Sequence, residues 1–272
     1  MLNMSKAENV LEYIGDATYL LFAEHKSNAG ETHYNTHSHP RYEIMFIADG
    51  SVEYIVENRR HELKKGDVLL VKPGLIHFAK RIIATPSTRY CIGFLPEALQ
   101  NVDMAKALFD KGEHFSLPDP SMIEELSFAL YHKLKKSRSN AESFSKALIN
   151  AMIISLCDEI GESEETLPKQ TDTNLKRIID YVGANLTAIN DMDDIADALF
   201  FSKSYLGHVF KKETGMSIME YVRNKKVSRA HSLILTGAKP TEIYLECGFS
   251  NYPSFFRAYK AFFGFSPKTK SK

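Results

Sequence analysis

Residues 194–217 read DIADALFFSKSYLGHVFKKETGMS, and residues 242–266 read EIYLECGFSNYPSFFRAYKAFFGFS. The second stretch repeats the first. Asp194-Ile195, Ser202, Leu206, Phe210-Lys211, Gly215 and Ser217 recur as Glu242-Ile243, Ser250, Phe255, Tyr259-Lys260, Gly264 and Ser266. The offset is 48 residues up to the serines and 49 beyond them. Such self-similarity marks one supersecondary unit used twice. Each copy holds a short periodic segment, a tight turn and a longer periodic segment, the layout of a helix-turn-helix.

From Asn174 onward the apolar spacing predicts six helices. The first runs from Leu175 to Asn185, and the second from Met192 to Leu199 behind an Asp191 cap. The third runs from Lys203 to Glu213, between a Ser202 cap and Gly215. The fourth is long, from the capping box Ser217-Ile-Met-Glu220 to about Leu235. The fifth, Glu242 to Cys247, is stopped by Gly248. The sixth, Asn251 to Phe263, is capped by Ser250 and stopped by Gly264. Pro253 falls in its first turn, where amides have no intrahelical partner.

In such a unit the second helix enters the major groove of DNA, its N-terminal residues nearest the bases. On the first reading helix the residues expected at DNA are Lys203, Ser204, Gly207, His208, Lys211 and Lys212. On the second they are Asn251, Tyr252, Ser254, Phe256, Arg257 and Lys260. Arg257 suits paired hydrogen bonds to guanine, while Lys203, Lys211, Lys212, Lys260 and Arg223 suit phosphates. Asn251 can instead start its helix, and Phe256 can instead pack on the long helix.

Charge agrees once it is divided. The 272 residues carry 34 Lys+Arg and 34 Asp+Glu, a net of zero, which taken whole argues against nucleic acid. Residues 1–170 hold 19 basic and 24 acidic residues, a net of −5; residues 171–272 hold 15 and 10, a net of +5. From Phe201 the count is 13 against 4, a net of +9. That asymmetry suits a nucleic-acid reader joined to something else, or a merely solvated basic face. The division falls in Gly161 to Thr173 (GESEETLPKQTDT), which reads as a linker, so residues 1–160 and 174–272 are expected to be two domains.

Composition excludes other classes. With 44% apolar and 25% charged residues, the chain is neither collagen-like, low-complexity nor disordered. No run approaches about 18 uncharged apolar residues, so no membrane span is expected. Met1 to Lys6 lacks a secretory signal pattern. Cys91, Cys157 and Cys247 are odd in number and far apart, which predicts reduced thiols in the cytoplasm.

The first half reads as short strands. Tyr42 to Ala48, Val52 to Val56, Asp67 to Val71 and Tyr90 to Leu95 are β-branched and aromatic, with turns at Asp49-Gly50, Gly66 and Pro73-Gly74. Many short strands with frequent turns predict a sandwich or barrel. His37, His39 and Glu43 are separated by even numbers of residues, so one strand would point all three to one face. Inside a barrel they need hydrogen-bond partners, a metal or a polar ligand. His77, after Pro73-Gly74, begins another strand that reaches the same cavity. Two helices follow. Pro120 to Lys136 carries Ile123, Leu126, Leu130 and Leu134, and Ala141 to Ile160 carries Phe144, Leu148, Met152 and Leu156 beside Ile149 and Ile153. A face that wide packs on the barrel, forms a homodimer interface, or does both.

Two resemblances follow from these residues. His37, His39, Glu43 and Gly50 resemble the first motif of the cupin superfamily. Gly66, Pro73, Gly74 and His77 approximate the second, with Pro73 one residue late and Arg81 where Asn is usual. Resemblance to cupins implies that the three histidines and the glutamate either hold a divalent iron, manganese, nickel or zinc ion or line a metal-free pocket for a sugar or other small molecule.

The duplicated half is similar to the DNA-binding domain of the AraC family. The match runs through Ile195-Ala196, Ser202, Tyr205-Leu206, Phe210-Lys211-Lys212, Gly215, Ser217, Tyr221 and Arg223. It continues through Cys247-Gly248-Phe249-Ser250, Phe255, Arg257, Tyr259-Lys260, Gly264 and Ser266-Pro267. Departures are Tyr244 in place of a small residue and a tail, Lys268 to Lys272, without the usual Tyr-Arg.

This resemblance implies an α+β architecture: a cupin-like β-barrel with flanking helices, then an all-α domain of two helix-turn-helix units. It implies a sequence-specific transcription regulator, not an enzyme. Its partners would be double-stranded promoter DNA, a small-molecule effector, a second copy of the chain and, for an activator, RNA polymerase. A metal-dependent cupin enzyme at His37, His39, Glu43 and His77 is the first alternative, and a protein-interaction adaptor without DNA is the second.

Overall fold

Side-chain alternation along the strands sets the layers of the N-terminal half. A computed structural model describes residues 9–14, 17–25, 37–80, 87–161, 165–170 and 173–267; Met1 to Lys6, Arg81 and the tail Lys268 to Lys272 lie outside them. The strands are β1 (Asn9–Ile14), β2 (Thr18–His25), β3 (Tyr42–Asp49), β4 (Ser51–Val56), β5 (Arg59–Lys64), β6 (Asp67–Val71), β7 (His77–Lys80), β8 (Ser87–Phe94), β9 (His114–Ser116) and β10 (Lys169–Gln170). They form a six-stranded sheet, β1-β2-β8-β3-β6-β9, and a four-stranded sheet, β10-β5-β4-β7. Among the described residues the two ladders stay separate, so the expected barrel is an open one.

On β3, Met45 and Ile47 face the other sheet and pack with Tyr54, Val56, Leu63, Leu69, Val71 and Cys91. Ile44, Phe46 and Ala48 face the opposite way, toward three helices. These are α1 (Val102–Lys111), α2 (Ser121–Lys136) and α3 (Ala141–Gly161). The two expected helices are α2 and α3; α1, started by Asn101 accepting from the Met104 amide, is additional. The four-stranded sheet turns its outer residues, Ile55 and Phe78, together with Ile76, to the second half of the chain.

That half is helical: α4 (Thr173–Asn185), α5 (Met192–Leu199), α6 (Lys203–Thr214), α7 (Ile218–Leu235), α8 (Pro240–Ile243) and α9 (Tyr252–Phe263). Asp191 and Asp194 form a reciprocal capping box, and Ser202 and Ser217 cap α6 and α7. Two expectations change. The fifth helix ends at Ile243, because the Gly248 amide bonds to the Leu245 carbonyl and tightens residues 244–248 into a turn. The cap of α9 is Asn251 rather than Ser250; its side-chain oxygen accepts from the Ser254 amide at 2.9 Å.

The first helix-turn-helix unit is built on the sheet. Leu175, Ile178, Ile195, Leu206, Phe210 and Tyr221 share one buried cluster with Ile55, Ile76 and Phe78. The second unit has its own core on the far part of α7, with Val227, Ile234, Ile243, Phe255 and Tyr259. The expected linker also carries structure. Lys169 and Gln170 pair with Arg60 and Arg59 as β10, and the Thr166 amide donates to the His114 carbonyl at 2.8 Å.

Candidate functional site

His37, His39, Glu43 and His77 converge, by a route the sequence did not suggest. Only Glu43 lies in β3; His37 forms an isolated bridge with His77, through 3.2 and 3.0 Å backbone bonds, and the chain bends at residues 40 and 41 before entering β3. The expectation of one strand for His37, His39 and Glu43 is therefore replaced by a short segment before β3 that pairs antiparallel with the start of β7. Ring centroids lie 4.2 Å apart for His37 and His77, 4.8 Å for His39 and His77 and 5.6 Å for His37 and His39. One ligand atom from each of the four residues lies within 4.8 Å of all the others. Glu43 and His77 are buried, while His37 and His39 retain some exposure.

Proton accounting shows what this cluster needs. His77 Nδ1 lies 2.9 Å from the Leu75 carbonyl, which turns Nε2 inward. That Nε2 is buried without a hydrogen-bond partner, 3.7 Å from Glu43 Oε2. His39 Nδ1 faces the Arg41 carbonyl at 3.2 Å, and its Nε2 faces Glu43 Oε2 at 2.7 Å. Both partners are acceptors, whereas a neutral imidazole has one N–H. Burial pushes the His39 ring toward its neutral form, against the pull of Glu43. Burial alone would raise the Glu43 carboxyl, but the His39 bond and the closeness of the His77 ring hold it well below the usual carboxylate range. Glu43 Oε2 and the Nε2 atoms of His39 and His77 therefore converge in one buried cluster, the His77 nitrogen without a partner. A divalent cation fits that donor set, and three nitrogens with one oxygen suit manganese, iron, nickel or zinc. Such a cation would be held by Glu43, His39 and His77, with His37 completing the set.

Two residues beside the site were not singled out in the sequence. The Tyr54 ring stacks 6.1 Å from His77. Cys91, on β8, pairs with Met45 of β3, and burial first, then the Glu43 charge, pushes its thiol up to about 12. The period-2 pattern of β3 and β8 was the available signal for Cys91.

On α6, Lys203, Ser204, His208, Lys211 and Lys212 are exposed and Gly207 is half-buried. Lys203 pairs with Asp193 at 2.6 Å. On α9, Asn251, Arg257 and Lys260 are exposed, while Tyr252, Ser254 and Phe256 are half-buried. The Phe256 ring lies 6.1 Å from that of Tyr252. Arg223, on α7, is exposed. Both reading helices thus keep an open polar face while their buried faces hold Leu206, Phe210, Phe255 and Tyr259.

A third set of contacts joins the two halves of the chain. Glu57, buried at the tip of the β4–β5 hairpin, accepts from the Ile76 amide at 3.1 Å and from the Tyr221 hydroxyl, and pairs with Lys225 at 3.5 Å. Asn224 donates to Ser38 Oγ at 3.2 Å. Gly74, at φ +77°, meets α7 so closely that a Cβ there would lie 2.6 Å from Ser228 Oγ.

The fold and these two surfaces define a ligand-binding domain attached to a tandem DNA reader. Residues 22–153 match the AraC-like ligand binding domain, and residues 195–272 match a helix-turn-helix domain. The chain belongs to the AraC family of transcription regulators. It is similar to the Msm operon regulatory protein of Streptococcus mutans, 25% identical over 231 residues that cover 83% of this chain and 82% of the relative. It is also similar to the transcriptional activator RhaR of Escherichia coli, 24% identical over 233 residues covering 79% and 80%. Among solved structures, ToxT of Vibrio cholerae aligns over 93% of this chain and 96% of its own, at 14% identity and a TM-score of 0.37. The protein is a DNA-binding transcription regulator with an effector-binding domain. No described helix is long and apolar enough to cross a membrane.

Proposed function

We propose that His37, His39, Glu43 and His77 form the effector site, that a divalent transition-metal ion is what they bind, and that occupancy is relayed to α7. One observation carries the reading: the site and the DNA reader share two short backbone segments. Ser38, between two site histidines, accepts from Asn224 of α7. The Gly74 amide donates to the His39 carbonyl at 2.9 Å, and Gly74 touches Ser228 of α7. Ile76, next to His77, donates to the carboxylate that holds Tyr221. A ligand that draws the histidines together displaces the seat of α7. It shifts DNA binding only as far as it prefers one arrangement over the other.

A sugar or other hydroxylic effector is the second reading, favoured by the partial exposure of His37 and His39 beside an ionised carboxylate. Lys203, Lys211, Lys212, Lys260 and Arg223 anchor phosphates in this reading. Ser204, Gly207, His208, Asn251, Tyr252, Ser254, Phe256 and Arg257 lie toward the bases. Exposed Met122 and Phe128 on α2 and Ile154 on α3 support a homodimer through that layer. The protein acts in the cytoplasm and, at promoters it activates, beside RNA polymerase.

Calorimetric titration of the full chain with Mn²⁺ and Zn²⁺ tests the site. Saturable binding that raises Tm and is lost in His77→Ala supports it. Equal binding by the variant, or none by the wild type, sinks the metal reading. A salt titration of duplex binding tests the reader, because several phosphate contacts make affinity fall steeply with salt. Salt-independent behaviour would favour a protein adaptor.

A further inference from the structure

We infer that Lys226 is a positioning residue that locks the two helix-turn-helix units at one fixed separation, so that the protein selects the spacing of its two DNA half-sites. Lys226 sits in the middle of α7, the helix that both units share. It is 6% exposed, unusual for a lysine outside an ion pair. Its ammonium donates to the Ile189 carbonyl at 2.5 Å and to the Gly248 carbonyl at 2.7 Å. Ile189 precedes α5 in the first unit, and Gly248 is the turn of the second unit. One cation thus ties a loop of each unit to the rod between them. Two neutral carbonyls could be left to water at a surface, but here burial makes an unbonded partner costly.

The backbones at this point are also in direct contact. A Cβ on Gly248 would lie 2.6 Å from the Thr187 carbonyl oxygen, 2.8 Å from Thr187 Cα and 3.0 Å from Lys226 Cε. Gly248 is needed for its φ of +82° as well. The repeat provides a comparison within the same chain. Phe200 occupies the position of Gly248 in the first unit, also left-handed at φ 58°, and is 93% exposed. The same turn tolerates a large side chain where no second unit abuts it and requires glycine where one does. A hinge would leave room at this junction; the contact leaves none.

Geometry on DNA follows. Adding one base pair between half-sites turns the second block by about 35° and moves it about 3.4 Å. A locked pair of helices cannot follow that change without bending the DNA or losing one set of contacts.

The test is selection from duplexes with about 25 random base pairs, some two and a half helical turns. The wild type is expected to recover two sequence blocks at a single separation, and one inserted base pair is expected to weaken its binding about tenfold or more. Lys226→Met is expected to recover the same blocks at several separations, or one block alone, while Lys226→Arg keeps the wild-type spacing. Gly248→Ala, which wedges the units apart, is expected to move or broaden the separation. Wild-type binding that tolerates the insertion overturns the proposal without any variant. So does a folded Lys226→Met protein that still demands the single spacing. Loss of stability in Lys226→Met with an unchanged spacing profile in the surviving folded fraction would likewise mark the residue as structural only.

Discussion

Tyr221, on the helix that joins the two helix-turn-helix units, donates its hydroxyl proton to Glu57, 164 residues away in the β4–β5 hairpin. Burial, then the neighbouring Glu57 charge, raises the phenol well above its ordinary range and keeps it a donor. Lys225, one helical turn later, pairs with the same carboxylate from the flank. Tyr221→Phe removes the donor and keeps the ring that packs on Phe210. The expected cost is about 1–3 kcal/mol, from a buried acceptor left short of a partner. Hydrogen exchange should show faster opening of α7 with the β3–β8 core unchanged. Uniform loss of protection throughout would mean that the contact supports the whole chain and not the seat of α7.

Phe200 holds a strained backbone with its ring in water. Its amide still bonds to Ala196 and Asp197 carbonyls, and glycine preserves that cap. Phe200→Gly is expected to stabilise the protein by about 1 kcal/mol, because glycine adopts positive φ freely. A thermal melt should rise by a few degrees. A fall in Tm would show that the ring has a partner worth more than the strain.

Asp67 is buried and accepts from His114 at 2.9 Å, the Lys64 amide at 3.0 Å and Ser116 at 2.7 Å. Burial alone would raise its carboxyl; these bonds together bring it below its ordinary value of 3.8. A depressed carboxyl contributes stability above its unfolded pKa and loses it as pH falls through the folded one. Asp67→Asn should therefore destabilise by about 1–3 kcal/mol near pH 7 and by less below about pH 3. Urea unfolding at both pH values measures this, and an equal loss at both would show that the charge is irrelevant.

Arg257 and Lys211 are exposed on different reading helices and are expected to fail differently. Arg257→Ala should relax discrimination at one base pair by about tenfold or more. Lys211→Ala should weaken all duplexes alike and lower the salt slope by about one. Binding to selected and scrambled duplexes across a salt series separates the two. An equal loss on both sequences for Arg257→Ala would move that side chain from base to phosphate.

Elements with a strong local signal were legible. The caps Asp191, Ser202 and Ser217, the stops Gly215 and Gly264, and the stripes of α2 and α3 act within a few residues of themselves. β5 was missed because RRHELK looks like a solvated charge run, although only its alternate residues His61 and Leu63 are buried. Asn251 displaced Ser250 as a cap because either side chain can accept the amide, and only the chain's entry angle chooses. The four site residues were found by type and spacing. His37, His39 and Glu43 were expected on one strand, and only Glu43 is in β3; His77 does start another strand, and its bridge to His37 depends on two segments 40 residues apart.

What the sequence determined by itself was the inventory: a duplicated reader, its charged face, and a quartet of metal-competent side chains. Those follow from periodicity, capping chemistry and residue type, all of which are local. The tertiary structure decided how the parts are joined. Glu57 became a buried hub, Ser38 and Gly74 became the seat of α7, and Lys226 came to span two turns that lie 59 residues apart in the chain, at positions 189 and 248. Glu57 and Lys226 have no distinguishing neighbour in sequence, and nothing beside Ser38 or Gly74 points to α7. Their roles arise because burial leaves each polar group only the partners that packing brings within reach.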